Sequence, residues 1–277
     1  MPELPEVETI VRGLKARIDG KRLLHLTLHR PDLRRAIPMG LAAKVEGQRV
    51  DRVDRRAKYI LLRLADGGIL IVHLGMSGRL TLGDAARPLP PQRHDHAAML
   101  FEGGIEVRFN DPRRFGLIDY ARADTLPRHE LFRHLGPEPV DPGFDGALLA
   151  RLLAGKQTPI KSALLDQRVV VGIGNIYACE SLYWAGLSPK RLARTVQGER
   201  AARLAAAIKR VLDRAISVGG SSLRDYVNAS GELGNFQRHF AVYDREGERC
   251  PGCDCRTHIK RIVQSGRSTF YCAKRQR

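Results

Sequence analysis

Residues 59–74 read Tyr59-Ile60-Leu61-Leu62-Arg63-Leu64-Ala65-Asp66-Gly67-Gly68-Ile69-Leu70-Ile71-Val72-His73-Leu74. Two short runs of branched and aromatic residues flank an Asp-Gly-Gly triplet, which predicts an antiparallel hairpin. The same pattern returns at 98–101 and 105–109 around Gly103-Gly104. Upstream, Leu24, Leu26 and Leu28 alternate with polar neighbours, a further strand signal. The chain opens on a helix. Pro5 suits its first turn, Glu6 and Glu8 suit its positive end, and Val7, Ile10, Val11 and Leu14 share one apolar face. Residues 1 to about 130 therefore predict a mostly antiparallel β domain led by a helix.

Beyond that point the spacing changes. Residues 147–154, 164–166, 176–185 and 198–216 have helical periodicity broken by Gly and Pro. Residues 217–240 are rich in Gly, Ser and Asn and read as a mobile loop. The tail from 241 is rich in Cys and Arg, with β-like runs at 259–263 and 268–271.

Composition narrows the function. The chain has 277 residues, 43% apolar and 28% charged, a globular composition with enough length for a real core. No apolar run approaches the roughly 18 residues of a membrane span. The first eight residues carry three glutamates and no basic segment, so no secretory signal is expected. The formal net charge is +17, and it is uneven. Residues 12–63 hold 15 basic and 5 acidic residues, and residues 245–277 hold 9 and 3. Two basic blocks on a nearly neutral body point to a polyanion partner, with a solvated basic surface as the plainer alternative. Cys179 stands alone, whereas Cys250, Cys253, Cys255 and Cys272 cluster near the C-terminus. Without a secretory signal such a cluster reads as a metal site rather than a disulfide framework.

Met1 precedes Pro2, a pairing that aminopeptidases process. Removal would leave Pro2 as a secondary amine with an α-amino pKa of ~7.7–8.0, neutral and nucleophilic enough near pH 7. Adding to a sugar C1′, it would form an iminium that stays positive without protonation, with Glu3 beside it to move protons. Taken alone, a proline at position 2 is more often inert.

The opening PELPEVET resembles the start of the bacterial formamidopyrimidine-DNA glycosylases. The resemblance runs through RRAKYILL, HLGMSGRL, RHDH, NDPRRFG, GIGNIYACESL and QSGRSTFYC, in that order, over the whole chain. It implies an α+β multidomain fold. A β-sandwich catalytic domain with a leading helix would occupy 1–130. A helical domain with a helix–two-turn–helix motif and a lesion-capping loop would occupy 131–240, and a zinc-finger-type β-hairpin 241–277. It further implies that Pro2 is the nucleophile and Glu3 the general acid. Lys58 would be the proton donor of β-elimination (or a phosphate contact), and Arg267 the donor of δ-elimination (or a phosphate anchor). Met76, Arg113 and Phe115 match the side chains that fill the gap left by an extruded nucleotide; a lone Met or Phe would otherwise read as core. His94, Lys156, Lys161 and Asn175 match DNA-contacting positions, the last where a loop enters a helix, and Glu180 matches a lesion-pocket residue.

The metal site departs from the family. Arg275 stands where the fourth thiol is expected. Counting back from Cys272 aligns Cys255 and Cys250 with the first pair, and Cys253 is left to complete the set Cys250, Cys253, Cys255, Cys272 around one zinc. His258 is a substitute fourth ligand, and a hairpin held by packing without metal is the alternative. The expected function is a bifunctional glycosylase/AP lyase of base excision repair, removing oxidised purines through a Pro2 Schiff base and cutting by β,δ-elimination. It would act on damaged double-stranded DNA as a cytoplasmic monomer. An endonuclease VIII-like enzyme for oxidised pyrimidines and a non-enzymatic DNA-binding protein are the alternatives.

Overall fold

Glu3 starts the first helix, α1 (Leu4–Ile18), through a capping box. Its side chain accepts the Glu6 N–H, and the Glu6 carboxylate accepts the Glu3 N–H at 2.9 Å. The predicted apolar face is the buried one: Val7, Ile10, Val11, Leu14 and also Ile18. The computed structural model describes residues 2–86, 90–221, 234–253 and 258–277.

Among the described residues a short helix, α2 (Leu41–Val45), and eight strands follow: β1 (Leu23–Leu28), β2 (Val50–Arg56), β3 (Tyr59–Leu64), β4 (Gly68–His73), β5 (Arg79–Asp84), β6 (Asp95–Phe101), β7 (Ile105–Asn110) and β8 (Leu117–Arg122). They form two four-stranded sheets in the orders β1-β6-β7-β5 and β2-β3-β4-β8, antiparallel throughout. Both hairpins predicted from Gly-containing turns are present, as β3–β4 and β6–β7. One core joins α1 to the inner faces of both sheets, with Ile10, Val53, Leu62, Val72, Met99 and Phe109 among its members. The strand at 23–28 forms, but its leucines do not share a face. Leu23 and Leu26 are buried while Leu24 is exposed, because the β1–β6 register shifts between Leu23 and His25.

The chain divides into two compact units. One comprises Met1–Arg133 with Gly219–Asn235, the other His134–Val218 with Phe236–Arg277. The second unit holds α3 (Gly146–Leu153), α4 (Ile160–Leu165), α5 (Asn175–Ala185), α6 (Glu199–Ser217) and the hairpin β9 (Lys260–Gln264) with β10 (Arg267–Tyr271). Asp145 caps α3, its Oδ1 accepting the Leu148 N–H at 2.7 Å. α6 is amphipathic and buries Leu204, Ile208, Val211 and Leu212. α5 is buried nearly all round and packs against α4, α6 and β10. Ser265 and Gly266 make the β9–β10 turn with φ of 48° and 71°, the left-handed pair that a two-residue hairpin loop needs.

The predicted loop at 217–240 falls only partly within the described residues. Ser217 still belongs to α6, Phe236–His239 form a 3₁₀ turn, and 222–233 lie outside the described residues. Among the described residues no helix is long and apolar enough to cross a membrane.

Candidate active site and nucleic-acid interface

In the first unit, Pro2 lies directly ahead of α1 and is half-buried, and Glu3 is 4% exposed. The capping box fixes the Glu3 backbone and side chain together. The second Glu6 oxygen accepts the Ser221 N–H at 2.8 Å and its Oγ at 3.2 Å. Glu6 thereby ties the head of α1 to the residue that precedes segment 222–233; sequence reading assigned it only to the helix. Lys58 is buried and follows Ala57, whose φ is 54°, in the turn from β2 to β3. Arg55 holds that turn. Its Nε donates to Glu8 Oε2 and its Nη1 to the Ala57 carbonyl, each at 3.0 Å. Glu8 lies on α1, so the Lys58 turn is fastened to the helix that Pro2 and Glu3 lead into. The basic run read as a polyanion contact thus contains one arginine that faces inward.

Met76 and Phe115 are 42% and 43% exposed, which excludes core packing for both. Arg113 is exposed, and its guanidinium stacks 4.7 Å over the Phe115 ring. His94 is half-exposed, and its carbonyl accepts the Asp111 N–H at 3.0 Å. His73 lies beneath the Met76 loop, its Nδ1 accepting the Gly75 N–H at 3.0 Å. Burial, then the positive charges of Lys58 and Arg34, push the His73 pKa down to about 4 against an opposing pull from Asp111. The imidazole is therefore neutral at pH 7 and free to accept.

In the second unit, Lys156 is half-exposed just beyond α3, and its carbonyl accepts the Arg194 N–H at 3.1 Å. Arg267 stands exposed as the first residue of β10. Asn175 begins α5 and donates from Nδ2 to the Ser268 carbonyl at 2.9 Å. Two of the expected site residues are buried. Lys161, expected to touch phosphate, is completely buried. Its Nζ donates to the Ser268 carbonyl at 3.1 Å and to Thr269 Oγ1 at 2.7 Å, so it braces the strand that carries Arg267. Glu180, expected in a lesion pocket, is also completely buried. Its Oε2 accepts the Ala241 N–H and its Oε1 those of Val242 and Tyr243, each at 2.9 Å. Burial raises its pKa against the pull of those three N–H groups. A lone Lys or Glu on a helix gives no sequence signal that separates bracing from binding.

The ligand atoms of Cys250, Cys253 and Cys272 lie within 4.8 Å of one another, the last two sulfurs 3.6 Å apart. Burial disfavours the Cys250 thiolate, but hydrogen bonds from the Tyr183 hydroxyl, the Gly252 N–H and the neighbouring thiols outweigh it and lower the pKa. Arg275, the residue in the expected thiol position, donates from Nη1 to the Gly252 carbonyl at 2.8 Å and lies 4.8 Å over the Tyr183 ring. Trp184 is half-exposed, with Arg210 5.0 Å and Arg275 5.9 Å from its ring. Cys179 packs into the same apolar cluster as Cys250 and Cys272.

The family model for the formamidopyrimidine-DNA glycosylase N-terminal domain matches residues 1–118, and that for the formamidopyrimidine-DNA glycosylase H2TH domain matches 135–227. Formamidopyrimidine-DNA glycosylase of Rhodospirillum rubrum is 54% identical over 281 residues, covering 100% of both chains. The chain belongs to the formamidopyrimidine-DNA glycosylase family. Among solved members, the MutM (Fpg) protein of Thermus thermophilus superposes with a TM-score of 0.88 at 40% identity, covering 99% of this chain and 98% of that one. A Lactococcus lactis Fpg mutant in complex with a Fapy-dG containing DNA superposes at 0.90 with 32% identity, covering 99% of each.

The cysteine cluster of this family member suits a thiophilic divalent ion. Sulfurs of a tetrahedral zinc site lie about 3.8 Å apart at the usual Zn–S length, in keeping with the separations here. Among the described residues the cluster has three members, and His258 is not one of them. Cys255, placed in the expected ligand set, lies outside the described residues.

Proposed function

We propose that this chain excises oxidised purines, chiefly 8-oxoguanine and formamidopyrimidines, from duplex DNA and then cuts the strand by β,δ-elimination. The observation that carries this reading is the head of α1. A proline at position 2 adjoins a buried carboxylate fixed by its capping box, with the Lys58 turn fastened to the same helix. After Met1 removal the Pro2 nitrogen attacks C1′, and the damaged base departs with the glycosidic electron pair. Glu3 supplies the proton that opens the sugar ring, and the nitrogen and C1′ share an iminium. That electron sink acidifies the C2′ proton. Its loss expels the 3′ phosphate, with Lys58 as proton donor, and a second elimination releases the 5′ phosphate. Arg267 anchors a flanking phosphate and, by resemblance, serves the δ step.

Met76 and Phe115 enter the space left by the extruded nucleotide, and Arg113 donates to the orphaned partner base. His94, Lys156 and Asn175 at the head of α5 contact the backbone. The protein acts as a monomer on damaged double-stranded DNA. Zinc held by Cys250, Cys253 and Cys272, with Cys255 as the fourth ligand, would fix the fold of the hairpin that carries Arg267.

Borohydride trapping on an 8-oxoguanine:C duplex tests the reading, with intact mass measured on the same sample. The expected result is a covalent adduct with the processed protein, while Pro2→Gly and protein retaining Met1 keep DNA binding and lose most base release. Full activity with a blocked N-terminus would overturn it. Because a Lactococcus lactis Fpg was also solved with an oxidized pyrimidine containing DNA, the trapping includes an oxidised-pyrimidine duplex, and faster turnover there would favour that lesion class. Chelation is expected to release about one zinc and weaken DNA binding; metal-free protein of full activity would remove zinc from the proposal.

A further inference from the structure

Met76, Arg113 and Phe115 come from two different loops, yet one buried group connects all three. Asp111 has no exposed surface. Its Oδ1 accepts the Ser77 hydroxyl at 2.5 Å, and its Oδ2 accepts the Gly116 N–H at 2.8 Å. Ser77 Oγ in turn accepts the Arg113 N–H at 3.2 Å. Ser77 follows Met76, and Gly116 follows Phe115, so each exposed side chain is at most one residue from an atom bonded to this network. The Asp111 main chain is fixed as well. Its N–H donates to the His94 carbonyl, and its own carbonyl accepts the Arg114 N–H at 3.2 Å and lies 2.9 Å from His96 Nε2.

The two loops also touch directly. Gly75 has a φ of 61°, and a Cβ there would lie 2.3 Å from the Phe115 carbonyl carbon and 2.5 Å from the Gly116 nitrogen. The Met76 loop is pressed onto the Phe115 loop where only glycine fits. A carboxylate suits the buried position between them. It offers lone pairs on two oxygens at once, whereas an amide of the same shape presents a second donor to one of the two.

We infer that Asp111 is a positioning residue that locks Met76, Arg113 and Phe115 into one rigid wedge, and so sets the rate at which the damaged nucleotide leaves the duplex rather than the rate of the chemistry. The inference rests on the reading above that these three side chains enter the duplex. A wedge must push against stacking as a unit. If its parts move independently, the opening of the stack is followed by collapse before the lesion reaches the nucleophile.

The test uses the full chain and two substrates: an 8-oxoguanine:C duplex with 2-aminopurine beside the lesion, and the same duplex with a preformed abasic site. Stopped-flow 2-aminopurine fluorescence reads opening, and strand cutting reads chemistry. Asp111→Asn is expected to slow opening and base release by about tenfold or more, and to slow cutting at the preformed abasic site several-fold less. Ser77→Ala cuts the link to Met76 and Arg113 but leaves the Gly116 bond, so a smaller loss of the same pattern is expected; it carries the test if Asp111→Asn does not fold. Equal losses on both substrates, or none on either, would overturn the inference. Phe115→Ala separates the two failures. If it leaves opening unchanged, the wedge reading itself is wrong; if it slows opening while neither network variant does, only the role of Asp111 falls.

Discussion

Asp111 and Glu180 are both carboxylates without exposed surface, one in each compact unit. Each collects neutral donors, and what lies beyond those donors differs. The groups bound to Asp111 belong to loops whose neighbouring side chains point into solvent: Met76, Arg113 and Phe115. The groups bound to Glu180 are three consecutive backbone amides, 241–243, and two of those residues, Ala241 and Val242, sit in the apolar cluster under the hairpin. A buried carboxylate is costly to desolvate. In one unit that cost is offset in arranging a surface, in the other in closing a core. Burial of a charge therefore does not identify a functional site; the direction in which its partners face does.

The strongest way to break this comparison is to delete both groups. Glu180→Ala leaves three core-facing N–H groups without an acceptor and is expected to cost about 3–5 kcal/mol in urea unfolding. Asp111→Asn keeps one acceptor and is expected to cost about 1–2 kcal/mol. Similar costs for the two would mean that both are plain core anions. Next in size is Lys161→Met, which keeps the buried stem but loses both bonds to β10. We expect about 2–3 kcal/mol of destabilisation and, with Arg267 no longer held, a log–log salt slope of DNA binding shallower by about one. An unchanged slope would detach Arg267 from phosphate binding.

A smaller effect sharpens the side of Asp111. His73 has a folded pKa of about 4 against an ordinary 6.5, so between those values the unfolded chain binds the extra proton. Stability is complete above pH 6.5 and falls as the pH drops toward 4, by roughly 1–2 kcal/mol at pH 5. His73→Gln is expected to flatten that slope, measured by unfolding at pH 7 and 5. The smallest effect belongs to an exposed pair. Arg203 and Glu199 meet at 2.8 Å one turn apart on α6, with side chains 49% and 83% exposed, and Arg203→Ala is expected to change stability by less than about 0.5 kcal/mol.

Much of the fold was legible because local chemistry and tertiary structure agree. The hairpins at β3–β4 and β6–β7 announce themselves by glycine between β-rich runs, and α1 by its apolar stripe. The register of β1 was not legible, since a bulge moves leucines between faces without altering composition. At the site, positions carried by motifs were named from sequence, yet their supports were not. Arg55 reads as one more member of a basic run, Asp111 as an unassigned residue of the NDPRRFG stretch, Lys161 as a cation for DNA. Each acts through a partner distant in the chain: Glu8, Ser77 and Ser268. Only folding reveals which of many like residues has been turned inward.

The chain contains a single tryptophan, and its place has a practical consequence. Trp184 ends the aromatic pair on α5, with the guanidinium groups of Arg210 and Arg275 both close to its ring. Arg275 belongs to the C-terminal tail and is bonded to the Gly252 carbonyl, next to Cys253 in the chain. Indole emission from this protein therefore comes from one place and responds to the seating of that tail. Loss of Arg275 from the ring is expected to change the indole emission, a signal to which the first unit, which has no tryptophan, does not contribute.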